Sequence, residues 1–191
     1  MKWIRLLAVV AVSGLAPPVA AQLSPIPDGS LKEGTLSFDG HASMGDFSGI
    51  TLTVTGQLRG APLLAGVQGW VEAPVNTLKT GKDRRDRDLN KSMESETYPQ
   101  LRFELSQVEA ETGTTDSLPA TLHGRMVLHG VSQEVALPAA LSFLVDGVRV
   151  RSSFPLNLSD YHIGGLSKML GVLKMDEHIV VHVDVTFQFT R

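Results

Sequence analysis

The sequence predicts an all-β domain that carries one short, charged helix. Beyond residue 31, apolar and polar residues alternate with a period of two along most of the chain, as in half-buried β-strands. Between Thr80 and Phe103 this alternation stops, and seven consecutive charged residues at 82–88 open a segment with helical spacing. Eight antiparallel strands of this kind can close into a barrel or pack as two sheets, so the strand pattern alone leaves both architectures open.

The N-terminal residues have the features of an export signal. Lys2 and Arg5 form a basic region, residues 4–15 are an apolar stretch too short to span a bilayer, and small residues at 19–21 offer a cleavage site. We therefore expect a signal peptide, a flexible linker and one β-domain, at residues 1–21, 22–31 and 32–191.

Charge and composition exclude several classes of protein. Without Lys2 and Arg5, the basic count falls from 17 to 15 against 20 acidic residues, so the exported chain is near −5. Nucleic-acid binding is not expected, because it requires dense basic patches. No later stretch reaches the roughly 20 apolar residues of a membrane helix. We expect a periplasmic protein that is not integral to the membrane, and the oligomeric state is left open, a homodimer included.

The predicted strands follow one another with turn residues between them. The last strand is the clearest, because the alternate positions from Ile179 to Phe189 are apolar and only Val180 breaks the pattern. Asp146-Gly147 is typical of a two-residue hairpin turn. Segment 160–176 is less regular and is interpreted as a loop with one helical turn against an apolar opening. The predicted strands are 33–41, 50–59, 65–75, 100–109, 119–129, 133–146, 147–157 and 177–189.

One helix is predicted at 81–95, after the third strand. Thr80 and Asp83 have the spacing of a capping box, with Asp in place of the usual Glu. Leu89 and Met93 are four residues apart and can share one buried edge. Because the segment has few apolar residues, we expect the helix to lie on the surface of the sheet.

The sequence offers no persuasive catalytic or metal-binding group. His41, Asp46 and Ser48 lie close in sequence, but a hydrolase triad is defined by geometry, and a polar turn explains the cluster. His178 and His182 would lie roughly 13 Å apart on a strand, too far to share one ion. No glycine-rich phosphate loop is present. We therefore predict no catalytic residue, no metal site and no cofactor, and a protein that is not an enzyme.

The apolar strand faces form either the lining of a ligand cavity or an ordinary filled core, and the sequence leaves both open. With only two Trp and two Tyr in the chain, the interior would hold few polar groups, which suits a hydrocarbon chain. Arg84, Arg85 and Arg87 form either a solvated helix face or a polar collar at the mouth of the cavity. The candidate lining residues are Phe38, Leu52, Val54, Phe103, Met126, Leu141, Phe143, Phe154, Val183 and Phe187.

The chain resembles the YceI-like family of periplasmic lipid-binding barrels. The family has a Thr, a charged Arg-Asp segment, a helix with Leu and Met, and a Tyr-Pro that leads into an apolar-x-Phe strand. Later comes a strand that ends in a Gly-Val turn. The matching residues are Thr80, Arg87, Asp88, Leu89, Met93, Tyr98, Pro99, Leu101, Arg102 and Phe103, then Gly124, Met126, Leu128, Gly130, Val131, Val135, Ala136 and Leu137, and earlier Phe47, Ser48 and Gly49.

This resemblance covers roughly residues 33–189 and resolves what the strand pattern leaves open. It implies an eight-stranded antiparallel lipocalin-like barrel with a helix at its side or end. It also implies an interior that holds an isoprenoid chain, such as a polyprenyl lipid or a quinone tail, and it implies no catalytic residue. The expected function is therefore a periplasmic binding or carrier protein. The alternative is a non-enzymatic structural or stress-related interaction module with a filled core.

Overall fold

The computed structural model describes residues 25–43, 45–114, 116–164 and 175–190. The predicted signal peptide lies outside these residues. Within the described residues, three short 3-10 turns accompany the strands and the helix, at Leu64–Gly66, Val75–Thr77 and Leu158–Tyr161. The strands and the helix are, in chain order, β1 (Gly29–Ala42), β2 (Gly45–Thr51), β3 (Thr55–Arg59), β4 (Gln68–Pro74), α1 (Asp83–Ser92), β5 (Gln100–Ala110), β6 (Leu118–Leu128), β7 (Val131–Leu144), β8 (Gly147–Asn157) and β9 (Met175–Phe189).

The strands form one closed antiparallel barrel. Each strand from β3 to β8 pairs with the next along the chain, and β1 pairs with β9 from Gly29 opposite Phe189 to Ala42 opposite Met175. β1 also pairs with β3 near its start and with β2 along its second half. Since β2 and β3 occupy successive parts of one position in the ring, the barrel has eight positions. The predicted eight-stranded antiparallel barrel is confirmed, and the two-sheet alternative is wrong.

The second predicted strand, 50–59, is interrupted at 52–54 by threonine side chains. The hydroxyl of Thr51 forms a 2.7 Å hydrogen bond with the hydroxyl of Thr77 and accepts one of 3.0 Å from the backbone N–H of Thr53. Local bonds of this kind compete with the strand ladder for backbone groups. The period of two is therefore lost over three residues and resumes in β3.

The helix is shorter than the predicted 81–95, and its start is held differently. The N-cap residue Lys82 makes no side-chain capping bond, and the predicted pairing of Thr80 with Asp83 is wrong. Thr80 instead donates to the buried carboxylate of Asp86, through its hydroxyl at 2.6 Å and its backbone N–H at 2.7 Å. The hydroxyl bond is the main reason that the pKa of Asp86 lies below its ordinary value, because it favours the charged form.

The two ends of the barrel carry different connections. The end that we call the helix end holds α1, the turn between β6 and β7, and the 3-10 turn after β8. The far end holds the connections that follow β3, β5 and β7. In the described part of the chain, no helix has the length and the apolar content needed to cross a membrane.

Two irregular segments differ from their predictions or are only partly described. In the predicted linker at 22–31, Ile26 exchanges two backbone hydrogen bonds with Ala61, of 2.9 and 3.0 Å, and β1 already begins at Gly29. In the predicted loop at 160–176, Tyr161 and Ile163 are buried. β9 begins at Met175, and the stretch between 164 and 175 lies outside the described residues.

Candidate ligand cavity

A cavity of about 220 Å³ lies inside the barrel. Every strand except β2 contributes to its wall, and so does α1. Of the few polar residues that border it, Ser152 donates to the carbonyl oxygen of Pro138 at 2.6 Å. Arg102 also borders it, but it lies between Leu101 and Phe103 on β5, so its side chain points to the other face of the sheet, where it donates to Glu72 at 2.7 Å. An apolar cavity of about 150 Å³ stays dry and binds benzene, so this cavity has room for a larger apolar group.

Nine of the ten residues predicted to line the interior border this cavity. Leu52 does not, because the interruption at 52–54 turns its side chain outward and leaves it 73% exposed. Val54 is buried at the end of the same interruption. Contact of these side chains with a ligand stays a prediction. The nine residues are Phe38, Val54, Phe103, Met126, Leu141, Phe143, Phe154, Val183 and Phe187.

Two glycines leave room for aromatic rings of the cavity wall. A Cβ at Gly49 would lie 2.3 Å from Cε1 of Phe38 on the paired strand. A Cβ at Gly124 would lie 2.8 Å from Cζ of Phe103 and 2.2 Å from the backbone oxygen of Glu104. A larger residue at either position would displace the ring or the strand, so these glycines fix where the two phenylalanines lie.

One face of α1 is turned toward the cavity. Leu89, Ser92 and Met93 border it, and Leu89 and Met93 share one buried edge, as predicted. Arg85 lies on the same face because it precedes Leu89 by four residues and Ser92 by seven. The helix therefore presents both apolar and polar groups to the end of the barrel.

The three arginines of the predicted collar occupy different environments. The guanidinium carbon of Arg85 lies 4.7 Å from the ring centre of Phe47, which contacts Phe38 edge-on at 6.0 Å. Arg84 and Arg87 are exposed, and helical spacing places them on the other side of α1. The geometry thus favours Arg85 alone near the cavity, and a ligand contact by any of the three stays a prediction.

Four buried side-chain polar atoms have no hydrogen-bond partner in the described structure, and three of them belong to α1. Among these four residues, Ser92 is the one that borders the cavity. Ser92 is not among the residues predicted from the sequence, although its position three residues after Leu89 places it on the inner face of the helix. The four atoms are Arg85 Nε, Asn90 Oδ1, Ser92 Oγ and His129 Nε2.

A histidine whose side chain is 8% exposed joins three connections at the helix end. His129 lies in the turn between β6 and β7, and its ring centre is 4.7 Å from that of Tyr98. Its Nδ1 is 3.0 Å from the carbonyl oxygen of Tyr161, so Nδ1 carries a proton, because a carbonyl only accepts. Its Nε2 lies 3.5 Å from the carboxylate of Glu94. These contacts attach the segment after α1 and the turn after β8 to the barrel.

Most of the chain matches the model of one protein family. The model of the YceI-like domain matches residues 31–189. The chain belongs to the YceI-like family. No curated protein matches the sequence.

Solved structures with the YceI-like architecture share little sequence with this chain. BcnA of Burkholderia cenocepacia has a TM-score of 0.68 at 14% identity, over 80% of this chain and 95% of that one. A polyisoprenoid binding domain from Saccharophagus degradans, implicated in plant cell wall breakdown, has a TM-score of 0.67 at 14% identity, over 86% and 99%. The Campylobacter jejuni YceI protein has a TM-score of 0.53 at 15% identity, over the whole of both chains. At these identities the likeness shows the fold alone.

Part of the sequence that resembles the YceI-like family has a structural role in this chain. Thr80 holds the carboxylate of Asp86 at the start of α1. Tyr98 packs on His129, and a Cβ at Gly130 would lie 2.5 Å from the Tyr98 ring. These residues fix the path of the chain between β4 and β5, which positions α1 at the end of the cavity.

The other candidate groups do not assemble into a site in this YceI-like barrel. Nδ1 of His41 lies 2.5 Å from the carboxylate of Asp46, but none of the hydrogen bonds of the described residues joins His41 to Ser48. His178 and His182 each pair with a nearby carboxylate. Within residues 25–43, 45–114, 116–164 and 175–190, no three His, Cys, Asp or Glu side chains are grouped to hold a metal ion.

Proposed function

We propose that this protein binds an apolar isoprenoid-type lipid, a polyprenyl chain or a quinone tail, inside its barrel and acts as a carrier for it. The cavity wall carries the proposal. It is built mainly from aliphatic and aromatic side chains, and three of its polar residues, Arg102, Glu72 and Ser152, are already bonded within the protein. A branched hydrocarbon gains about 25 cal/mol for each Å² of apolar surface that leaves water for such a wall.

The family supports the same class of ligand. The domain from Saccharophagus degradans, which shares the fold, is named as a polyisoprenoid binding domain. We extend that class of ligand to this chain as part of the proposal. The export-like N-terminus supports a periplasmic location, and the family resemblance supports a binding protein rather than an enzyme.

The size of the cavity limits what it holds without rearrangement. At about 220 Å³ it is smaller than the roughly 300–1,000 Å³ of most ligand pockets. Met93 and Met126 border it, and unbranched methionine side chains adapt easily to a ligand. We expect a long chain to enter as these side chains move. The same modest volume favours the alternative function, an interaction module with a filled core.

Native mass spectrometry of the protein purified from the periplasm tests the proposal. We expect an adduct whose mass, after solvent extraction, belongs to the prenyl series. Protein stripped of lipid should take up added prenols or prenylquinones. A bare protein mass combined with no uptake of either compound would contradict the proposal and support the filled core.

A pair of variants separates binding in the cavity from binding on the surface. Leu141→Phe adds volume at a residue that is 3% exposed and borders the cavity, whereas Leu52→Phe makes the same change at a residue that is 73% exposed. If the cavity is the site, Leu141→Phe fills it and reduces uptake at little cost in stability, while Leu52→Phe changes neither property. In a filled core, Leu141→Phe would instead lower the free energy of unfolding by about 1–3 kcal/mol.

A further inference from the structure

We propose that the inner face of α1 is the subsite for the polar end of the lipid, with the hydroxyl of Ser92 as its hydrogen-bonding group. The matching end group is a neutral oxygen, a hydroxyl or a carbonyl, rather than a phosphate. This inference rests on the proposed function, because it assumes a lipid in the cavity. It adds the chemistry of the end group and the direction in which the lipid lies, with its polar end at the helix end.

The hydroxyl of Ser92 is buried, borders the cavity and lacks a partner among the described residues. A serine inside a helix commonly donates to the carbonyl four residues earlier, but this one does not. Burying a hydroxyl without a hydrogen bond is unfavourable, so such a group in a folded protein requires an explanation. A ligand oxygen at this point supplies the missing bond.

The surroundings of Ser92 limit the end group to one small polar function. Leu89 and Met93 flank it on the helix, and both are buried against the cavity. A serine hydroxyl can donate to a carbonyl or accept from a hydroxyl. The other two unpaired atoms of α1, on Arg85 and Asn90, belong to residues outside the cavity wall. The subsite therefore fits a single oxygen with an apolar chain behind it.

Charge argues against a phosphate at this position. Arg102 is a lining residue, but its guanidinium lies on the face of β5 opposite Phe103 and is already bonded to Glu72 at 2.7 Å and to Glu104 at 2.9 Å. Arg85 precedes Ser92 by seven residues, which is about 10 Å along a helix. A phosphate beside Ser92 would be buried without a counter-charge, which is strongly unfavourable.

Calorimetric titration of lipid-free protein tests this subsite. The probes share one prenyl chain length and differ in the end group: a prenol, a prenylquinone, the plain hydrocarbon and the prenyl diphosphate. Each is titrated into wild type, Ser92→Ala and Ser152→Ala. Ser152 is the matched control, because it borders the same cavity while its hydroxyl is already bonded to Pro138.

We expect Ser92→Ala to lower the affinity for the prenol and the prenylquinone by about 3- to 10-fold, the range of one neutral hydrogen bond, and to leave the affinity for the hydrocarbon unchanged. Ser152→Ala should change the affinities for the prenol and for the hydrocarbon by the same factor relative to wild type. The diphosphate should bind wild type more weakly than the prenol. Thermal unfolding of lipid-free Ser92→Ala should be unchanged or shifted upward, since alanine favours the helix and no internal bond is lost.

The outcomes separate this inference from the proposed function. If no probe binds wild type, the proposed function fails. If the prenol and the hydrocarbon both bind wild type and Ser92→Ala weakens neither or both equally, the subsite alone is wrong. Tighter binding of the diphosphate than of the prenol would overturn the neutral end group. A lower unfolding temperature in lipid-free Ser92→Ala would assign the hydroxyl a structural role instead.

Discussion

The barrel wall and the inner face of α1 border the same cavity but are built in opposite ways. The wall consists mainly of apolar side chains from alternate strand positions, and the side chains of Arg102, Glu72 and Ser152 are bonded within the protein. The helix carries a buried carboxylate on Asp86 and three buried polar atoms that lack partners in the described structure, and one of these three, the Ser92 hydroxyl, belongs to a residue that borders the cavity. An apolar wall can select only for hydrophobicity and shape. Under the proposed function, discrimination between lipids of similar chain therefore depends on the helix.

A charge placed in the barrel wall should have the largest effect on stability. Phe103 lies between Val71 of β4 and Met126 of β6 and borders the cavity. Phe103→Asp removes a large apolar side chain and buries a charge without a partner, so we expect a loss of at least about 4 kcal/mol in the free energy of unfolding. Most folded domains have only about 5–15 kcal/mol to lose. Urea denaturation of the purified variant measures the effect.

The matched control uses the same substitution on the outside of the barrel. Leu52 is 73% exposed, so Leu52→Asp should change the free energy of unfolding by no more than about 0.5 kcal/mol. If Phe103→Asp and Leu52→Asp lowered the free energy of unfolding by similar amounts, the interruption at 52–54 would not turn Leu52 outward.

A smaller effect is expected at the start of the helix. Thr80→Val keeps the shape of the side chain and removes the hydroxyl that donates to Asp86 at 2.6 Å. The carboxylate then keeps only the backbone N–H, and we expect a loss of about 1.5–3 kcal/mol in the free energy of unfolding, the range of a hydrogen bond to a charged group. Thr97→Val, in the same connection between β4 and β5, is the control. An unchanged free energy of unfolding in Thr80→Val would show that the helix start is held by other contacts.

The dependence of stability on pH tests the same carboxylate without altering Thr80. The pKa of Asp86 is lowered in the fold, so the unfolded chain binds more protons than the folded chain as the pH falls below 5. Its contribution to stability is present at neutral pH and is lost as the pH drops through the folded pKa. Asp86→Asn should be less stable than wild type at pH 7. Below pH 5, its free energy of unfolding should fall less steeply with decreasing pH, because the variant takes up fewer protons on unfolding, by up to about one.

Other carboxylates contribute to the acid sensitivity of wild type and provide the comparison. The pKa of Glu104 is lowered by hydrogen bonds first from Arg125 and then from Arg102, and that of Asp184 is lowered first by Arg149. These pairs remain in Asp86→Asn, so the variant should keep part of the acid sensitivity. Identical slopes for wild type and Asp86→Asn between pH 5 and 3 would contradict the assigned role of Asp86.

The wall was predictable from the sequence because the side of a strand on which a residue lies follows from a period of two. The prediction is wrong at Leu52, where the hydroxyl of Thr51 bonds locally to Thr53 and Thr77 and the strand is interrupted. Side-chain bonds of this kind leave no trace in an alternation pattern. Closure of the barrel depends on the pairing of β1 with β9. The strand pattern could not decide between a closed barrel and two sheets, whereas the family resemblance implied the barrel.

The helix was less predictable because its important residues are ordinary in sequence. A capping-box spacing pointed from Thr80 to Asp83, whereas the chain begins the helix after Lys82 and brings Thr80 to Asp86. Ser92 becomes notable only when its hydroxyl is found buried beside the cavity. The apolar edge formed by Leu89 and Met93 could have indicated the inner face, because helical spacing places Arg85 and Ser92 on the same side of the helix as Leu89.

Two arginines of α1 allow a direct comparison of its two sides, and we expect the smallest change in the free energy of unfolding here. Arg85 lies over the ring of Phe47 at 4.7 Å and donates to the carbonyl oxygen of Thr80 at 3.0 Å, whereas Arg87 is exposed. We expect Arg85→Ala to lower the free energy of unfolding by about 1 kcal/mol, the range of a cation–π contact with a hydrogen bond, and Arg87→Ala to leave it unchanged. Because Phe47 packs edge-on against Phe38 in the cavity wall, Arg85→Ala should also weaken prenol binding.

Arg85→Lys keeps the charge but loses the planar contact, so a loss of binding equal to that of Arg85→Ala would assign the effect to packing. Equal losses of affinity in Arg85→Ala and Arg87→Ala would instead indicate that the net charge of the helix, rather than its inner face, attracts the ligand.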